Sequence, residues 1–291
     1  MKITDDCSIL SMTPLNVIFP WFVHYGIGSE NKRNNNNSDE FARVIKDVCT
    51  KSEDKDSVYN RVLSTGLFTR ETIYKDINSI LFGGHETTSK SLCSCLLFLK
   101  RNPSVEQKLK HELHSVLLED GKYSVRDLDR ILHNDKLDEL EYLTCFVKEV
   151  LRHSPPAVRS LGYQAKKPFK LGDILVPKNQ IVSLNVYAAH YDLTQWIEPT
   201  RFVPERFDPS SEYFLTPDGK TRHPLSFCPF TFGARTCPGR ALGMMELKIL
   251  VIYFMLAIDY EIDESTLTNE ELCFAILSPF TLDIKVTKVH V

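Results

Sequence analysis

Residues 229–240 read Pro-Phe-Thr-Phe-Gly-Ala-Arg-Thr-Cys-Pro-Gly-Arg, and no other stretch of this 291-residue chain restricts its fold as tightly. Two glycines punctuate a loop around one cysteine, Cys237, and an apolar helix-forming run over 241–252 follows at once. Gly233 and Gly239 let the backbone turn sharply and approach a sulfur closely. A cysteine just ahead of a helix sits at the positive end of the helix dipole. Arg235, two residues before it, adds a cation. Such surroundings favour thiolate over thiol, and the thiolate is the form that ligates metals. Taken alone, Cys237 would read as one more inert buried thiol, the usual state of a free cysteine.

A second motif, Gly83-Gly84-His85-Glu86-Thr87-Thr88, falls inside a helix predicted over 71–101 and stopped by Asn102-Pro103. A mid-helix glycine costs about 0.5–1 kcal/mol relative to alanine. Two in a row imply either a closely packed second helix or a point where a ligand meets the backbone. Thr87 can return its hydroxyl to an upstream carbonyl or offer it to a ligand. Glu86 adds an ionisable carboxyl at the same point. The third motif is Lys148-Glu149-Val150-Leu151-Arg152, with Phe202-Val203-Pro204-Glu205-Arg206-Phe207 downstream. In isolation, Glu149 and Arg152 would make a helix-surface pair of about 0.2–0.5 kcal/mol.

The loop fits the pattern F-x-x-G-x-R-x-C-x-G, and the other motifs precede it in the order of the cytochrome P-450 family, which this chain resembles. The resemblance implies a mostly α (α+β) fold: the C-terminal part of the P-450 fold, with a long oxygen-binding helix, small β-sheets, an irregular meander and the cysteine loop. Phe230, Gly233, Arg235 and Gly239 would cradle haem b (iron protoporphyrin IX), with the Cys237 thiolate as axial ligand to its iron. Gly83 and Gly84 would leave room for dioxygen. Glu86 and Thr87 would be the catalytic pair that holds oxygen and delivers protons. Glu149, Arg152 and Arg206 would form a buried structural triad behind the loop. Arg235 matches the arginine that pairs with a haem propionate. A second such arginine, common in the family, is replaced here by Gly162, with Arg159 nearby. His190 reads as a structural histidine.

The activity implied is that of a haem-thiolate monooxygenase. It would insert one oxygen atom of O2 into a small apolar substrate, with electrons from NAD(P)H through a partner reductase. Arg240 and Lys248 are basic residues that could face an acidic partner. Two rival readings stand beside it. One is a truncated, non-catalytic homologue that does not bind haem alone, because the family's chains are longer and this one begins about midway. The other keeps the haem for peroxide rearrangement or isomerisation, which Glu86-Thr87 argues against.

Composition bounds the rest. At 43% hydrophobic residues the chain can build a sizeable core, and a charge of −3 points away from nucleic acid. Eight scattered cysteines with no Cys-x-x-Cys spacing read as thiols of an intracellular protein. The resemblance associates a full-length form with the endoplasmic reticulum membrane. No signal peptide follows Met1, and the apolar run 15–23 is too short to span a bilayer. Its Trp21 and two phenylalanines could touch a membrane surface, although packing on the core is the plainer reading.

One partial domain is expected, helical over 1–156 and holding sheets, meander and haem loop over 157–291. Helices are predicted over 41–49, 71–101, 104–118 and 137–153, with a polar surface loop at 34–37. His111, Glu112 and His114 are expected on a solvated helix face. Short strands are predicted within 158–187, a surface insertion at 209–228 and a strand-like tail over 280–289. Pocket-lining candidates are the stretch before Gly83, residues 156–162 and the turn 277–280.

Overall fold

Apolar residues recur at helical spacing from Phe41 to Cys49, and the helix they nucleate, α1 (Ser29–Lys51), extends well ahead of that stripe. The structure is a computed structural model that describes residues 29–266 and 283–290. The polar tract 34–37 lies within α1, not in the loop expected for it. Asparagine costs only a fraction of a kcal/mol per helical position, so a helix held further along extends through it.

The chain divides into two units, with the boundary between Glu86 and Thr87 inside helix α3 (Arg70–Arg101). In the first unit, α1, α2 (Val58–Ser64) and the start of α3 enclose Ile45, Cys49, Tyr59, Ile73 and Tyr74. The Tyr59 and Tyr74 rings stack with centroids 5.4 Å apart, and their hydroxyls meet at 3.1 Å.

The second unit holds α4 (Pro103–Val116), the short helices α5 (Leu128–Ile131) and α6 (Asn134–Glu139), α7 (Glu141–His153), α8 (Val186–His190) and α9 (Arg240–Leu256). Pro103 starts α4 where its missing N–H costs nothing. The stripe Val105, Leu109, Leu113 then packs on Leu143, Phe146, Val147 and Val150 of α7 and Val251 and Ile252 of α9.

The predicted helix 137–153 is two helices, broken at Leu140, whose ψ of 77° leaves the helical region. Leucine cannot cap the amides that this break exposes. Glu112 of α4 does so instead, accepting from Tyr142 N–H at 2.7 Å and Leu143 N–H at 2.9 Å. Lys248 of α9 donates to the freed Leu137 carbonyl at 2.9 Å. Two expectations are corrected here. Glu112 leaves the solvated face because a helix N-terminus attracts its carboxylate. Lys248 is 8% exposed and withdrawn from any partner surface; burial pushes its ammonium below the ordinary lysine range.

The expected strands form three antiparallel ribbons among the described residues. Strand β1 (Tyr163–Gln164) pairs with β4 (Ile181–Val182), and between them β2 (Phe169–Leu171) pairs with β3 (Ile174–Val176) around Gly172-Asp173. Gly172 has φ +58°, which suits glycine in so short a turn. β5 (Ile258–Asp263) pairs with β6 (Asp283–Val289), the described part of the expected tail. No described helix is long and apolar enough to cross a membrane. The runs 15–23 and 277–280 lie outside the described residues.

Candidate active site

Glu149 and Arg152 lie three apart on α7, so they share one face. That face turns inward onto the meander, and with Arg206 both residues are 0% exposed. Arg152 grips Glu149 with two bonds, Nε to Oε2 at 2.7 Å and Nη2 to Oε1 at 2.9 Å. Arg206 Nε reaches Oε1 at 3.2 Å, and Val203 N–H donates to the same oxygen at 2.9 Å. The remaining guanidinium protons go to backbone carbonyls: Arg152 to His190 at 2.8 Å, Arg206 to Ile197, Glu198 and Arg201. One carboxylate and two arginines therefore pin α7, α8 and the meander together. The triad expected from the motifs is assembled as a buried cluster.

His190 is fully buried. Its Nδ1 lies 3.0 Å from the Arg152 carbonyl and its Nε2 3.0 Å from the Cys228 N–H. A carbonyl can only accept and an amide can only donate, so the ring is the neutral Nδ1–H tautomer. Burial drops its pKa to about 3, against the backbone bond and with help from the Arg152 charge. His190 thus joins the triad to the strand of chain entering the cysteine loop. Its stabilising contribution is complete above the unfolded value near 6.5. It is lost as pH falls from there toward 3, because the unfolded ring takes up a proton that the folded ring refuses. The midpoint of urea unfolding is expected to fall more steeply between pH 6.5 and pH 4 in the native chain than in His190→Gln. Equal slopes would remove His190 from this role.

Sequence reasoning missed Arg222, within the segment expected to be a surface insertion. Its guanidinium stacks 4.3 Å from the Trp196 ring centroid and donates to the Arg206 carbonyl at 2.6 Å and the Tyr213 carbonyl at 2.9 Å. Desolvation lowers its pKa to about 10. Trp196, 1% exposed, carries Arg152 at 5.1 Å from the same ring. The available signal was the turn-forming run Pro217-Asp218-Gly219, which sends residue 222 back toward residue 213.

The loop itself is closed by its backbone. Thr231 N–H bonds Cys228 O at 3.0 Å, Thr236 N–H bonds Gly233 O at 3.1 Å, and Cys237 N–H bonds Phe230 O at 2.9 Å. Thr231 and Gly233 take left-handed conformations, φ +55° and +71°, to make the turn. Gly239, by contrast, has φ −86°, which any residue adopts. Its lack of a side chain matters on the ligand side: a Cβ there would stand 3.8 Å from Cys237 Sγ. Phe230 packs back against the main core and holds the loop from behind.

Cys237 is exposed, whereas Cys49, Cys95, Cys145 and Cys228 are buried and Cys93 is partly so. Burial pushes those five thiols up, Cys145 to about 11. Phe232 and Leu242, flanking the cysteine in sequence, are 42% and 50% exposed. Added Cβ atoms at Gly233 and Gly243 would meet no described atom within 4 Å. Bare glycines, exposed apolar side chains and one accessible sulfur at a helix start fit a flat apolar group whose metal takes a single thiolate. Arg235 is exposed. At Gly162 a Cβ would fall 2.6 Å from Ile181 Cγ2, so an arginine there would have to displace that side chain. Arg159 is exposed and bridges Asn185.

Within α3 the helix continues unbroken through Gly83 and Gly84. Among the described residues, a Cβ on either would meet no atom within 4 Å. Glu86 is 8% exposed, and the Thr87 carbonyl accepts from Ser91 Oγ at 2.8 Å.

The family profile described as Cytochrome P450 matches residues 9–282. The human ultra-long-chain fatty acid omega-hydroxylase is 30% identical over 196 residues, 67% of this chain and 34% of its own length. The steroid 17-alpha-hydroxylase/17,20 lyase of Mesocricetus auratus is 27% identical over 268 residues, covering 85% of this chain and 50% of its own length. The taurochenodeoxycholic 6 alpha-hydroxylase of Sus scrofa is 31% identical over 191 residues, 65% and 34% of the two chains. The chain thus spans a third to a half of the length of these curated relatives. With its cysteine loop, buried triad and a profile match over nearly its whole length, this chain belongs to the cytochrome P450 family.

Proposed function

We propose that this chain is the haem-holding portion of a haem-thiolate monooxygenase acting on a small apolar substrate. The observation that carries the reading is Cys237: the one exposed thiol among the described cysteines, in a loop clamped from behind by buried charges. When bound, the haem supplies dioxygen activation, and thiolate ligation favours O–O cleavage. The chain's own contribution is positional and electrostatic. Cys237 Sγ is the ligand, exposed just ahead of α9. Gly233, Gly239 and Gly243 keep the approach bare. The Thr87 hydroxyl donates a proton toward the oxygen site, and the Glu86 carboxyl replenishes it. Gly83 and Gly84 carry no side chain to fill the space that dioxygen would occupy.

The named relatives act on fatty acid, steroid and bile-acid compounds, which supports a lipid-like substrate. Electrons would come from NAD(P)H through a reductase, with exposed Arg240 available to an acidic docking face. A full-length form would work inside the cell at the endoplasmic reticulum membrane. The test is to supply haem to the purified chain, reduce it and add carbon monoxide. A red-shifted Soret band is expected. No haem uptake at all would favour the non-catalytic reading.

A further inference from the structure

Arginine stands three residues before a serine or threonine at two places in the chain, Arg61 before Ser64 and Arg101 before Ser104. That spacing is a charge pattern by which basophilic serine kinases select their substrates. The structure separates the two. The first motif lies wholly inside α2, where Ser64 Oγ donates to the Arg61 carbonyl at 2.7 Å. The second has a further base, Lys100, ahead of it. It also has a bend within it: Asn102, between α3 and α4, has φ −128° and ψ 74°, outside the helical region. Ser104 is exposed, and among the described residues its hydroxyl has no hydrogen-bond partner. Lys100 and Arg101 are exposed as well. Arg101 pairs with Glu264 at 2.8 Å, with 45% of its side chain open to solvent. An exposed pair of that kind exchanges partners at little cost.

The surroundings of Ser104 suit the group that such a kinase transfers. Ser104 lines a groove of about 670 Å³ together with Lys108, Arg201, Glu205, Glu212 and Tyr213. Lys108 is one helical turn further along α4, so it shares a face with Ser104. Its ammonium pairs with Glu205 at 2.6 Å, and Arg201 of the meander pairs with Glu198 at 2.9 Å. Both cations are exposed and free to change partners. A phosphoserine carries about −1.5 to −2 charges and three strong acceptor oxygens. It draws cations within its reach more strongly than a single carboxylate does. We propose that Ser104 is a phosphorylation site for a basophilic serine kinase, with the phosphate seated in this groove by Lys108 and Arg201. In the transfer, Ser104 Oγ forms a bond to the γ-phosphorus of ATP and the bond to the ADP oxygen breaks. The hydroxyl proton passes to the kinase's catalytic aspartate. The seated phosphate takes Lys108 from Glu205, the neighbour of Arg206 in the buried triad. One tie between α4 and the meander is thereby exchanged for another.

The test treats the folded full chain with ATP and activated calmodulin-dependent protein kinase II, and maps the phosphate by peptide mass. Incorporation at Ser104 is expected, with none there in Ser104→Ala and an unchanged amount in Ser64→Ala. Arg101→Gln, which gives up only an exposed ion pair, is expected to slow incorporation roughly tenfold. Phosphorus NMR then titrates the modified chain. The second ionisation of a free phosphoserine lies at about 6. In the native groove its midpoint is expected at roughly pH 5.5 or below, because two cations favour the dianion. Lys108→Gln/Arg201→Gln is expected to return it to about 6. No phosphate on Ser104 of the folded chain would overturn the assignment, as would undiminished total incorporation in Ser104→Ala. A phosphate that titrates at its free value in the native chain would overturn its seating in the groove.

Discussion

Glu149→Ala is expected to destabilise the chain by about 3–5 kcal/mol, the range for removing one partner of a buried ion pair. Its carboxylate is the single counter-charge for two guanidiniums that are 0% exposed. It also accepts the Val203 N–H, and a stranded buried donor costs about 1–3 kcal/mol. The arginines keep their carbonyl partners, so the loss comes from unbalanced positive charge more than from missing hydrogen bonds. Set against a typical total stability of about 5–15 kcal/mol, this leaves little folded protein. Glu149→Gln, which keeps the shape and one acceptor oxygen, should fall between the two. Urea unfolding of the three chains measures the series. The exposed pair Arg201–Glu198 supplies the contrast: its side chains are 60% and 55% exposed, and Glu198→Ala should cost at most about 1 kcal/mol. If Glu149→Ala unfolds within that same margin, the triad does not organise the meander.

Cys237→Ala is expected to have the opposite profile, intact fold and abolished site. The loop's closing bonds are made by the Cys237 backbone, and its thiol is exposed, so unfolding should stay within about 0.5 kcal/mol of native. The red-shifted band of the reduced carbon monoxide complex should vanish completely, because no second sulfur stands in the loop. A readout without haem is available as well. Alkylation of the native chain, mapped by peptide mass, should modify Cys237 well ahead of the described buried cysteines, whose thiols burial holds in the unreactive protonated form. A Cys237→Ala chain that retained the band would overturn the ligand assignment.

These two profiles separate what was legible in the sequence from what was not. The cysteine loop and the triad could be read because fixed spacing within one helix or one tight turn nearly determines geometry. Glu149 and Arg152 had to share a helix face, and Cys237 had to precede α9. Interactions over long separations carried no such signal. Glu112 looked like a solvated helix residue until the break at Leu140 exposed the amides it caps, 30 and 31 residues on. Lys248 looked like a docking charge because a lysine near a loop is usually exposed. Its withdrawal depends on the carbonyl freed at Leu137. Arg222 needed both a turn and the Trp196 ring. In the polar tract 34–37, local composition suggested a loop, but a small propensity cost yielded to the helix propagating through it.

The cysteine loop also bears on where local order comes from. Its turns are left-handed at Thr231 and Gly233, its mouth is bonded from Phe230 to Cys237, and His190 holds its stem at Cys228. None of those bonds uses the sulfur. Protection of these amides against hydrogen exchange is therefore tied to the stem and not to the thiol. His190→Gln would shorten their exchange lifetimes, whereas Cys237→Ala would leave them unchanged.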